Sequence, residues 1–176
     1  MYWILFVMGA LVSVVAALVM GGLATPRLHV ASRRMVVRAP VGLVWRTVRE
    51  VYAYADWRPA LTEAVISIGD DGEEWRESTR GASTRFGVTV DEPPHRFGAR
   101  ILDDDIPYVG EWTWTFEPAG NGTLVTITVR GEIGNPMSRF IRTHMTGHAA
   151  PIDAYLAALA TRVGSPGAEI TDVSPR

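Results

Sequence analysis

The first 25 residues of this chain carry no charged side chain, and the run YWILFVMGALVSVVAALVMGGLA that starts at Tyr2 is apolar almost throughout. At about 1.5 Å of rise per residue, a helix of this length crosses a hydrocarbon core of roughly 30 Å. A helix that is apolar on every side has no solvent face, so a membrane span is favoured over a buried core helix of the globular domain. A cleaved signal peptide is the competing reading. It requires a positive n-region, an apolar stretch of about 7–15 residues and a small-residue cleavage site. Here no Lys or Arg precedes the run, the run is longer, and only Ala16-Ala17 imitates a cleavage site. Residues 1–25 are therefore expected to be a transmembrane anchor and residues 26–32 a juxtamembrane linker. Arg27, Arg33, Arg34 and Arg38 follow the run, and the first acidic residue is Glu50. That asymmetry predicts a single-pass topology with the remaining chain on the cytoplasmic side. These arginines either meet anionic headgroups or belong to a solvated linker and first strand.

Composition narrows the function. The chain has no cysteine, so neither a disulfide framework nor a thiolate metal site is available. A formal net charge of -2 excludes a broadly basic nucleic-acid binder, and no nucleic-acid partner is expected. Neither a glycine-rich phosphate loop nor a nucleophile elbow occurs, so no cofactor is expected.

Beyond the apolar run the hydrophobic period changes. His29 to Arg38 is β-branched and apolar at alternate places, as in a strand. Pro40 introduces Val41, Val44, Trp45 and Val48 at helical spacing, and a second short helix fits 51–56. Six strand-like segments follow: 63–68, 73–80, 83–91, 96–103, 109–117 and 123–132, punctuated by turn sequences such as Gly69-Asp70-Asp71-Gly72. Asn135-Pro136 then opens a helix in which Phe140, His144, His148, Tyr155 and Leu159 recur at helical spacing, with a bend expected at Pro151. Residues 164–176, rich in Gly, Pro and Ser, are expected to be a disordered tail. The order of elements predicts an α+β domain over residues 33–163. Its antiparallel sheet of about seven strands would curve around one long C-terminal helix that does not fill the curve, leaving a cavity suited to apolar ligands.

Four segments bear on family. They are VVRAPVGLVW, ADWRPAL, ILDDDIPYVGEWTWTFEP and GEIGNPMSRFIRTHMTGHAAPIDAYLAAL. Together they resemble the START/Bet v 1-like (SRPBCC) superfamily, in its polyketide cyclase/dehydrase-like branch, over about residues 33–163. The resemblance implies a helix-grip fold with a hydrophobic cavity between the sheet and the C-terminal helix. It further implies binding of lipids, sterols, polyketides or other apolar molecules, with cyclisation or dehydration in a minority of members. Fold alone does not decide activity.

Candidate residues divide by strand parity and helical spacing. On the strand 109–117, Trp112, Trp114 and Phe116 share one face and Glu111, Thr113 and Thr115 the other, with hydrophobicity turning the aromatic face inward. His144 and His148, at i and i+4, project from one helical face and either contact a ligand headgroup or are satisfied structural histidines. No third ligand and no HExxH glutamate accompanies them, so no metal site is expected. Asp103-Asp104-Asp105 alternate in direction on a strand and read as a solvated hairpin. The cavity candidates are Trp57, Trp75, Phe86, Tyr108, Trp112, Trp114, Phe140, His144, His148 and Tyr155. The expected function is a membrane-tethered binding module for a lipid or other hydrophobic small molecule rather than an enzyme. The alternatives are a cyclase/dehydratase-type enzyme using His144, His148 or Glu111, and a non-catalytic protein partner in a membrane complex.

Overall fold

The computed structural model describes residues 2–103, 108–141, 143 and 149–175, without the side chains of Tyr108 and Val109. An N-terminal helix α1, Tyr2–Leu23, leads into strand β1, Leu28–Val37. Helix α2, Val41–Arg49, and a 3-10 turn, Val51–Ala53, precede the short α3, Tyr54–Trp57. Six strands follow: β2 Glu63–Gly69, β3 Gly72–Ser78, β4 Ser83–Glu92, β5 Arg96–Ile101, β6 Tyr108–Ala119 and β7 Gly122–Ile133. Helices α4, Pro136–Ile141, and α5, Ala150–Arg162, and a two-residue strand β8, Thr171–Asp172, complete the described elements.

All strands lie in one antiparallel sheet of order β2-β3-β4-β5-β6-β7-β1-β8. Successive hairpins build β2 to β7, and β1 returns beside β7, pairing Leu28 with Glu132 through to Val37 with Thr123. The tight β2–β3 turn needs Gly72, whose φ of 118° a side chain would strain. Because side chains alternate along a strand, one face collects Met35 and Val37, Trp75, Phe97, Trp114 and Phe116, Val125 and Ile127, all buried. Helix α5 covers that face with Ile152, Tyr155, Leu156 and Leu159, one apolar stripe at i, i+3, i+4 and i+7. Val44 and Val48 of α2 and Tyr54 of α3 close the same core. The fold is the α+β arrangement expected from the order of elements, in the helix-grip form that the family resemblance implies.

Three expectations need correction. The supposed disordered tail is part of the sheet and adds the short edge strand β8 to the expected strands. Ser165 is buried and its hydroxyl accepts the Arg38 amide at 2.8 Å; Ala168 and Ile170 pack on the core; Ser174 Oγ accepts the Ser32 amide at 2.9 Å. A Gly/Pro/Ser composition gave no hint of these pairings, which depend on β1 lying at the edge to receive them. The linker of residues 26–32 shrinks to the few residues between Leu23 and Leu28, since the strand expected from His29 begins at Leu28 and takes in the rest of that stretch. Arg33 lies within that strand, bonded to Asp153 of α5 at 3.1 Å and paired with Asp172 of β8, so it belongs to the domain and not to a membrane flank. Pro151 sits in the first turn of α5, where its missing N–H costs no helical bond, and not at a bend inside a longer helix.

Helix α1 is exposed over nearly its whole length, with its last turn the exception. There Gly22 is buried against α4, and a side chain at Gly22 would collide with the Pro136 carbonyl. A methyl at Gly21 would come within 2.7 Å of the Phe140 ring. Arg139, 3% exposed, ties the two helices together. Its guanidinium donates to the Gly22 and Thr25 carbonyls, each at 3.0 Å, and to the carbonyls of Ile133 at 3.0 Å and Gly134 at 2.9 Å. The free carbonyls at a helix C-terminus carry partial negative charge, which suits a cation placed there.

Candidate functional site

Between the sheet and α5 the inward side chains form a continuous aromatic wall. Trp75 on β3 stacks on its cross-strand partner Phe86 of β4, with centroids 5.2 Å apart. Phe97 of β5 bridges Trp75 and Trp114 at 6.0 and 5.4 Å. Trp112 and Trp114, two apart on β6 and so on one face, lie 5.7 Å apart. Tyr155 of α5 meets this wall at Trp114, 5.7 Å away, and at Trp57, 5.3 Å away edge-on. Tyr54 stands edge-on to both Trp57 and Tyr155.

A charged pair is set into the wall. Arg58, the residue after α3, donates from Nη1 to Glu77 Oε1 at 2.7 Å, and the same oxygen accepts the Trp75 indole N–H at 3.1 Å. Glu77 follows Trp75 by two on β3, so it shares the inward face. The Arg58 Cζ lies 4.9 Å from the centroids of both Tyr54 and Tyr155, a cation held between two π-faces. Burial works against that charge, but the Glu77 carboxylate and its hydrogen bond more than offset it, and the guanidinium pKa is raised. The Tyr155 hydroxyl donates to Tyr54 Oη at 3.2 Å, and Tyr54 donates in turn to the Val48 carbonyl at 2.6 Å. Burial pushes both tyrosine pKa values well up, so both hydroxyls stay protonated and both protons are committed.

Some polar groups in the wall are not matched. The buried indole N–H groups of Trp57 and Trp114 have no acceptor in hydrogen-bond geometry among the described residues. A buried donor left without a partner costs about 1–3 kcal/mol. A carbonyl or ether oxygen presented by a bound molecule would satisfy such a donor.

The structure brings together six of the sequence-derived candidates: Trp57, Trp75, Phe86, Trp112, Trp114 and Tyr155. Phe140 lies against Gly21 of α1. His144, His148 and the Tyr108 side chain fall outside the described residues, as do Asp104 and Asp105. Asp103 holds Arg85, accepting its amide at 2.8 Å and its Nε at 3.1 Å. Glu111 is exposed on the face opposite Trp112 and Trp114, where with Arg100, Arg130 and Glu132 it lines an outer concavity of about 480 Å³. It cannot act in the interior. Tyr54, Arg58, Glu77 and Phe97 were not foreseen. Strand parity from Trp75 was the available signal for Glu77, while Arg58 reaches the interior only through the turn after α3.

With this geometry in view, the family described as "Polyketide cyclase / dehydrase and lipid transport" matches residues 28–164. The chain belongs to this family. Solved structures agree on the fold. A START superfamily protein from Mycobacterium smegmatis is 20% identical with a TM-score of 0.59, over 77% of this chain and 97% of that one. Zhui aromatase/cyclase from Streptomyces sp. R1128 is 16% identical with a TM-score of 0.63, over 78% and 94%. The di-domain aromatase/cyclase StfQ of the steffimycin biosynthetic pathway is 13% identical with a TM-score of 0.63, over 78% of this chain and 51% of that one. The chain thus spans about half the length of the di-domain proteins it matches. No curated protein sequence matches it. At these identities the structural likeness speaks to the START/Bet v 1 fold and not to a shared substrate.

Proposed function

We propose that this family member binds a hydrophobic small molecule, a lipid or a similarly apolar compound, against its interior aromatic wall while α1 anchors it in a membrane. The observation that carries the reading is the wall itself, in which the buried N–H groups of Trp57 and Trp114, beside Tyr155, have no acceptor in hydrogen-bond geometry among the described residues. Such a surface suits an apolar body bearing at least one acceptor oxygen, with affinity drawn mainly from apolar burial. Membrane anchoring is supported by α1, which is long and apolar enough to cross a bilayer. The arginine excess after α1 supports a cytoplasmic placement of the domain.

A cyclase or dehydratase activity is the second reading, and it rests on Arg58, a cation beside the aromatic wall able to polarise a carbonyl. The tyrosines weaken it: with raised pKa values and committed protons, neither Tyr54 nor Tyr155 offers a general base near neutral pH.

The test is native mass spectrometry of the full chain in nanodiscs, purified from its own membranes. A stoichiometric, oxygen-containing apolar ligand, lost or reduced in Trp114→Phe, is the expected result. Repeated recovery of a folded, empty chain overturns the binding reading. Loss of water from, or ring closure in, a ligand incubated with the protein would move the conclusion to the enzyme.

A further inference from the structure

Sheet register gives the domain two ends. The start of β1, the end of β7 and the start of β6 lie together, since Leu28 pairs with Glu132 and Tyr108 with Ile133. The β6–β7 turn, where Ala119 faces Gly122, lies at the other end. Along β7 these ends are separated by roughly 35 Å at about 3.3 Å per residue. Helix α1 emerges at the first end, and α4 follows β7 at that same end.

The joint between α1 and α4 is not a loose hinge. It has no side chain at Gly21 or Gly22 to keep the helices apart, and the α4 backbone at Pro136 fills the space. Arg139 then donates to four carbonyls, those of Gly22 in α1 and Thr25 just after it and those of Ile133 at the end of β7 and Gly134 just after it. The bond from the Ile133 amide to the Arg27 carbonyl, at 3.1 Å, closes the same joint from the strand side. Gly21 and Gly22 lie inside the apolar run, two and one positions before its last helical residue, Leu23. Whatever depth α1 takes in a bilayer, α4 lies within about one helical turn of where the run leaves the hydrocarbon. On α4, Met137 is 39% exposed, and Leu28 at the head of β1 is exposed beside the exposed Arg27.

We propose that α4 and the head of β1 form a membrane-facing surface that the Arg139 clasp seats on the phospholipid headgroup layer, fixing the orientation of the domain. The inference rests on the anchoring reading above and adds to it a rigid attachment and a defined contact face. Met137 and Leu28 would enter the apolar edge of the leaflet while Arg27 meets phosphate oxygens. The occupant is a lipid surface because the face is continuous with the apolar helix and carries an exposed cation at its rim. The domain would then present the same end to the bilayer at all times, instead of tumbling on a tether.

The absence of native cysteine allows single-cysteine labelling without background. Leu11→Cys in α1, Met137→Cys in α4 and Asn121→Cys in the far turn are each made in the full chain and labelled with an environment-sensitive fluorophore. The chains are reconstituted in phosphatidylcholine/phosphatidylglycerol vesicles carrying spin-labelled lipids with the quencher shallow or deep in the leaflet. Expected are loss of emission at Leu11 with the deep quencher, loss at Met137 with the shallow one, and none at Asn121. Quenching at Leu11 with none at Met137 overturns the contact face while leaving the anchor intact. No quenching at Leu11 overturns the anchoring reading and the inference with it. Arg139→Lys, which cannot reproduce the forked bonds, should abolish the Met137 quenching with Leu11 unchanged; unchanged quenching at both sites refutes the clasp. Should Arg139→Lys fail to fold, the three single-cysteine chains decide the contact face unaided.

Discussion

Replacing Glu77 by Ala tests whether the Arg58–Glu77 pair is a structural element of the aromatic wall. The carboxylate is 10% exposed and the guanidinium 21% exposed, so solvent screens the pair only partly. The substitution removes a charge-assisted hydrogen bond to Arg58, worth about 1.5–3 kcal/mol, and strips the Trp75 indole of its acceptor, a further penalty of about 1–3 kcal/mol. Because Arg58 keeps some contact with water and with the two tyrosine faces, the lower part of that combined range applies, about 3 kcal/mol. With a urea m-value of about 2 kcal/mol/M, the unfolding midpoint should fall by about 1.5 M. The assay is urea unfolding of the full chain in nanodiscs, followed by tryptophan emission. Two companions sharpen it. Glu77→Gln keeps an acceptor for Trp75 and should lose less. The double variant Arg58→Met with Glu77→Leu leaves no unpaired charge and should recover most of the loss. A Glu77→Ala chain within about 0.5 kcal/mol of the parent would refute this account and make the pair a surface ion pair in its energetics.

Alkaline pH should destabilise the domain through Tyr54 and Tyr155. Their pKa values are raised in the folded state, so stability is flat while both states hold the proton and falls above about pH 10, by up to about 1.4 kcal/mol per pH unit for each tyrosine; pH-dependent unfolding of Tyr155→Phe should show a shallower fall. Trp114→Phe should weaken ligand binding about fivefold to tenfold, the worth of one hydrogen bond, as read by ligand titration in nanodiscs. Gly22→Ala forces Pro136 to move and should cost about 1–3 kcal/mol in thermal or urea unfolding, whereas Gly9→Ala, which meets nothing within 4 Å, should not. Deleting residues 168–176 should lower the melting temperature and speed hydrogen exchange at the Ser32 amide, which loses Ser174 Oγ.

Much of this fold was readable because its periods are clean. Alternation through Trp112, Trp114 and Phe116 assigns the inward face of β6, and Val125, Ile127 and Val129 do the same for β7. Glycine and aspartate at 69–72 mark the hairpin they form. Local pattern does not carry long-range closure. Nothing near Thr171 announces pairing with Arg34, and a serine-rich ending reads as tail until an edge strand is there to receive it. For the candidate site, the aromatic residues were legible by hydrophobic parity, but the polar members were not. Glu77 reads as one more acid on a solvated hairpin until Trp75 and Arg58 are seen to claim the same oxygen. Arg139 shows the same limit, since an arginine four residues after a helix cap looks solvated and is instead buried among carbonyls contributed by two distant segments, 22–25 and 133–134.

The position of β1 also governs when the domain can fold. It is the first of the described strands in chain order, yet its ladder partner, β7, is the seventh, and its other neighbour, β8, is the last described element. The hairpins from β2 to β7 each close locally and can form as the nascent chain lengthens. Throughout that interval β1 presents bare amides and carbonyls on both edges, beside an apolar helix already made. Its covering helix α5 is translated later still. Closure of the sheet thus waits for β7, and a product truncated before it would display an open strand edge, the state most prone to pairing with a neighbouring chain.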